Sequence, residues 1–287
     1  MTETEPEPGT QNVERHVRSR VRTLKLTVSY DGTRFVGWQR QAEGVSIQGL
    51  LEDALARFEG APVAVHGAGR TDAGVHALGQ VASVQITSAH PTDAVARGLN
   101  ASLPQDVRVT DVQEAAVDFH ARFSARSKTY RYLVRNASLV SPFERACVWH
   151  VPEALDLDAM QTAARALVGT HDFAAFRSTG SDTKETIRTI SQSDIFRHAG
   201  RAGPGPPGEP ATARPTSEDD PTLLAYEVSG NGFLRHMVRA ITGTLVEIGR
   251  GRRPAASMAS LLAGGSRAQA GATAPPQGLF LVRVDYD

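Results

Sequence analysis

The sequence predicts an α+β protein made of two tandem halves, and two observations support that reading. Over the first half of the 287 residues, apolar side chains alternate or recur at helical spacing in the order strand, helix, strand, strand, helix, strand. The same order returns over the second half. It is the ferredoxin-like βαββαβ pattern, so two such halves with mainly antiparallel sheets and a central cleft are expected, between two sheets or along one merged sheet. The expected domains are a disordered tail over 1–20, then halves at 21–118 and 119–287.

Each element has its own local signal. The tail is rich in Glu, Pro, Thr and Arg without apolar periodicity. Leu24, Leu26 and Val28 alternate into a half-buried strand that ends at the turn signal Tyr30-Asp31-Gly32. Ile47, Leu50, Leu51, Leu55 and Phe58 have helical spacing, with Ser46 as cap and Gly60 as stop. Strands are expected over Val63 to His66 and Gly79 to Thr87. A helix capped by Thr92 and carrying Val95 and Leu99 comes next, before a strand through Val107, Val109 and Val112.

In the second half Tyr130, Tyr132 and Val134 alternate on one face of a strand, and Leu157, Met160, Ala164 and Leu167 mark a helix. Ile187, Ile190 and Ile195 lie in a strand region. The stretch 201–221, dense in Pro, Gly and polar residues, reads as a disordered insertion. A strand through Leu224, Tyr226 and Val228, a helix over Phe233 to Ile248 and a last strand over Leu279 to Tyr286 complete the repeat.

Composition narrows the function classes. The 31 basic and 31 acidic residues cancel. Locally they do not: Arg122, Arg126, Lys128, Arg131 and Arg135 fall within 119–136, where there is no acid, a stripe suited to phosphates. A single cysteine, Cys147, makes no intramolecular disulfide. No Cys/His cluster has zinc spacing, and no apolar stretch approaches membrane-spanning length. A cytoplasmic, soluble protein without a metal is expected. His171-Asp172 alone is too little for a metal phosphohydrolase.

The chemistry centres on Gly67 to His76, where three glycines flank Asp72 in a loop between two strands. Taken alone, Asp72 is either a turn former or a functional carboxylate. The string Gly69-Arg70-Thr71-Asp72-Ala73-Gly74-Val75-His76-Ala77 resembles the active-site motif of the pseudouridine synthases, and within them it is similar to the tRNA pseudouridine synthase A family. Further segments resemble the same family: Tyr30 to Thr33 through Gly37 to Gln39, Lys128-Thr129-Tyr130-Arg131-Tyr132, Phe233-Leu234 with Met237-Val238-Arg239, and Ala274 to Leu281.

The resemblance implies an isomerase that breaks the bond between uracil N1 and the ribose, turns the base and joins its C5 to the same carbon. Atoms are neither gained nor lost, so no cofactor is expected. Asp72 is the implied catalytic carboxylate. Whether it attacks the ribose, attacks the base or removes the 2′ proton stays open. Implied substrate-binding residues are Arg239 as its cation, Arg70 to fill the space of the extruded base, Tyr130 to stack on the uracil and later take the C5 proton, and Leu281 to line the pocket. For Arg239 the residues alone also allow a solvated helix face, and for Leu281 ordinary core packing. The implied partner is tRNA, at uridines thirty-eight to forty of the anticodon stem-loop, bound by a homodimer. A non-catalytic pair of RNA-binding modules is the alternative; those carry an aromatic string of a type that does not occur here.

Overall fold

The computed structural model describes residues 21–180, 183–198 and 221–287. The tail expected over 1–20, and all but the last residue of the insertion expected over 201–221, lie outside them. The first half forms β1 (Arg22–Tyr30), α1 (Ile47–Glu59), β2 (Val65–Gly67), β3 (His76–Ile86), α2 (Thr92–Ser102) and β4 (Val107–Ala115). α1 starts and stops as its sequence predicts: the Gly49 N–H donates to Ser46 Oγ at 3.1 Å, and Gly60 turns left-handed at φ 73°. α2 differs, because Thr92 lies inside its first turn and the capping position is Pro91, which makes no side-chain cap.

The second half forms β5 (Ser127–Arg135), β6 (Trp149–His150), α3 (Leu157–Arg165), β7 (Gly169–Asp172), β8 (Ile187–Arg197), β9 (Leu223–Gly230), α4 (Met237–Gly249), α5 (Ser257–Leu262) and β10 (Leu279–Asp285). The short elements β6, β7 and α5, of 2, 4 and 6 residues, were not expected; such runs hold too few residues for a period to show.

The strands merge into one ten-stranded sheet in the order β4-β1-β3-β10-β5-β9-β8-β7, with β2 beside β3 and β6 beside β5. Pairing is antiparallel except between β10 and β3 and between β5 and β6. The α+β class is therefore as expected, in its merged-sheet form. One core spans both halves, from Leu26, Leu51 and Leu99 to Tyr132, Met160 and Leu245. Residues of opposite pleat, Leu133, Leu223, Ala225 and Phe280, pack with Val148 in a separate cluster. With both faces covered, β9 is buried along all 8 of its residues. The parallel seam of β10 and β3, pairing Phe280 with His76, brings the loop that precedes β3 against the second half.

Candidate active site

The loop from Gly67 to His76 is pinned on several sides. Trp38 N–H donates to Thr71 O at 3.0 Å, Tyr30 Oη bonds Thr71 Oγ1 at 2.8 Å, and Gln80 Nε2 donates to Gly69 O at 2.8 Å. Of its glycines only Gly74 adopts the left-handed region, at φ 76°. Gly67 serves close approach, since a Cβ there would lie 2.4 Å from the Trp38 ring. The Asp72 side chain does not cap its own turn. It faces the first turn of α4, where the positive end of the helix dipole favours a carboxylate.

Two side chains of that turn meet it. Arg239 Nη1 donates to Asp72 Oδ2 at 3.2 Å, and His236 Nε2 stands 3.4 Å from the same oxygen. The Arg239 side chain is 13% exposed and that of Asp72 27%, so the pair is largely shielded from water. Sequence reasoning placed Arg239 here and missed His236. Their i, i+3 spacing, which puts two side chains on one helix face, was the available signal. His236 is left-handed, at φ 62°, and this delays the start of α4 to Met237 from the expected Phe233. Burial pushes the His236 pKa down against the pull of Asp72, and Arg239 and Arg235 add to the depression.

Arg239 is itself held in place. Its Nε donates to Ala274 O at 2.8 Å, and Ala274 N–H returns a bond to Arg239 O at 3.0 Å. The 271–274 segment lies so close along α4 that a Cβ on Gly243 would sit 1.7 Å from Ala272 O. Gly243 thus keeps the helix and this strap in contact, which leaves Nη1 free for Asp72.

The structure separates the two tyrosines of β5. Tyr130 lines the cleft and meets Phe233 edge-on at 5.0 Å, whereas the Tyr132 hydroxyl donates to Pro275 O at 2.7 Å inside the core. Burial, with Tyr30 and Asp72 nearby, pushes the Tyr130 phenol pKa well up. Arg70 is exposed on the cleft wall. Leu281 is fully buried opposite Tyr130 in the β10–β5 register, and it is Leu279 of the same strand that reaches the cleft wall.

The cleft measures about 1240 Å³, above the roughly 300–1,000 Å³ of small-molecule sites. Its walls come from segments far apart in the chain: Trp38 and Gln48, the Asp72 loop, 120–130, Phe233 to Arg239 and Leu279. Much of the basic stripe is directed elsewhere. Arg126 pairs with Asp287, Arg131 with Glu227 and Arg135 with Glu144. Among the described residues no group of three His, Cys, Asp or Glu could hold a metal, and His171 bonds Val168 O.

Fold and site together define a class: an enzyme whose one carboxylate is held against an arginine, in a cleft large enough for an extruded nucleotide. A family model described as tRNA pseudouridine synthase matches residues 26–124 and 163–287. Relatives named tRNA pseudouridine synthase A include that of Geotalea uraniireducens, 43% identical over 266 residues that cover 93% of this chain and 100% of that protein. The Myxococcus xanthus relative is 46% identical, with 92% of this chain and 91% of that protein covered. The relative from Acetivibrio thermocellus is 41% identical over 93% of this chain and 100% of that protein. The chain belongs to the tRNA pseudouridine synthase family, isomerases of uridine.

Proposed function

We propose that Asp72 is the catalytic carboxylate and that the substrate is tRNA, modified at uridines thirty-eight to forty of the anticodon stem-loop by a cytoplasmic homodimer. The observation that carries the catalytic assignment is the Asp72–Arg239 contact across 167 residues of sequence, at the floor of the cleft. The Arg239 guanidinium supplies the counter-charge that the Asp72 carboxylate needs when RNA displaces water from the cleft.

In this reading the glycosidic bond to N1 breaks, the uracil turns while stacked on Tyr130, C5 bonds the same ribose carbon, and the proton leaves C5 as N1 gains one. A phenol held protonated by burial favours stacking as the role of Tyr130 over proton removal. Arg70 on the wall can take the place of the extruded base, and its planar guanidinium suits stacking. Leu281 backs Tyr130 from the neighbouring strand. No helix among the described residues is long and apolar enough to cross a membrane.

We read the architecture as two ferredoxin-like halves, 21–118 and 119–287. Supporting this, the first half runs β4-β1-β3-β2 and the second β10-β5-β9-β8, the same 4-1-3-2 order when the strands of each half are counted from its own start with the short β6 and β7 left out. A non-catalytic RNA-binding pair would have no use for the shielded Asp72–Arg239 contact.

The test is Asp72→Asn, which keeps the shape and removes the charge. Conversion of uridine in unmodified tRNA should fall by about a thousandfold or more while tRNA binding persists. A residual rate within about tenfold of the parent, only about 1.4 kcal/mol of barrier, would sink the assignment.

A further inference from the structure

Beside the Asp72 pocket, three rings form a stepped pile that the isomerisation itself does not use. His66, at β2, stacks on His120 with ring centres 5.1 Å apart and planes at 29°, and His120 meets Phe123 at 4.4 Å and 36°. Phe123 is 76% exposed, so packing in the core does not account for it. The Arg122 guanidinium lies 5.7 Å from the centre of the same ring. Lys128, mostly shielded next to Gly69, has no carboxylate within 4 Å among the described residues, and neither has Arg122. These five side chains line the same cleft as Asp72 and Tyr130.

We propose that His66, His120 and Phe123 form a stacking platform for the base adjacent to the target uridine in the RNA strand, with Arg122 and Lys128 receiving the phosphate between the two nucleotides. The proposal rests on the RNA-modifying reading above. Turning one base out of a strand deprives its neighbour of a stacking partner, and a ring surface at the pocket rim restores it without regard to base identity. Two cations without a carboxylate complement the phosphate that must pass between the two sites. A protein surface docked on the same rings would have to bring its own acids to these cations.

The experiment measures dissociation constants by fluorescence anisotropy for three stem-loop RNAs that carry the target uridine: intact, abasic on its 5′ side, and abasic on its 3′ side. Phe123→Ala should weaken binding of the intact RNA by at least about fivefold, and Phe123→Trp should restore it. With one of the two abasic RNAs, parent and Phe123→Ala should bind equally. An unchanged affinity for intact RNA, or the same loss on all three RNAs, overturns the platform. So does loss of self-association in Phe123→Ala with RNA affinity kept, which assigns the rings to a second copy of the chain. A parent protein that binds these RNAs without converting uridine counts against the function proposed above, while the binding comparison still decides the platform.

Discussion

Two groups of basic side chains in this chain meet opposite fates. Beyond the end of α4, Arg250 and Arg252 share Glu153, and Arg253 pairs with Glu247, which also accepts from Ala272 N–H. In the cleft, Arg70, Arg122 and Lys128 have no carboxylate within 4 Å among the described residues, while Arg239 has Asp72. A chain with 31 residues of each sign therefore keeps an uncompensated positive surface where the site lies. Pairing, and not composition, decides which charges remain available to a polyanion.

The largest break in this comparison is expected at Arg239, the cleft cation that does have a carboxylate. Arg239→Ala removes both the Asp72 contact and the bond to Ala274 O, so uridine conversion should fall by about a hundredfold or more. Arg239→Lys, which keeps charge and loses the two-nitrogen reach, should recover only part. Single-turnover assays on tRNA check both, and a Lys variant equal to the parent would show that charge alone suffices there.

The next effect is on salt dependence. Replacing Arg122 and Lys128 together by Gln should make the plot of log affinity against log salt shallower by about 0.7 to 0.9, the contribution of the one phosphate that the pair receives. The matching change at Arg250, Arg252 and Arg253 should leave the slope unaltered, because those guanidinium groups are committed to Glu153 and Glu247. A salt series on all three proteins tests the contrast. A shallower slope in the triple variant would erase it.

The smallest expected effect is on pH dependence. Burial, with Arg122 beside it, pulls the Lys128 pKa down to about 8. Its cation is present below that pH and lost above it, so tRNA affinity should decline by a few fold between about pH 7 and pH 9. Lys128→Arg, always charged, should flatten the decline. An equal decline in both proteins would assign it to another group.

The order of the longer strands and helices, the ends of α1 and the Asp72 loop were legible in the sequence because each depends on neighbours within a few residues. Ser46 reaches Gly49, Gly60 takes a conformation that glycine tolerates, and apolar residues at a fixed period determine which face is buried. Motif resemblance extended this to Asp72, Tyr130 and Arg239, the residues that the fold brings to one cleft. Local pattern could not separate Tyr130 from Tyr132, which share a face of β5. Their separation depends on Phe233 and Pro275, supplied from far along the chain. It could not place His236 beside Asp72 either, nor find that Glu153 and Glu247 pair with the arginines after α4. Those outcomes were decided only by the tertiary structure, because contacts and ion pairs act through distance in space and leave no period along the chain.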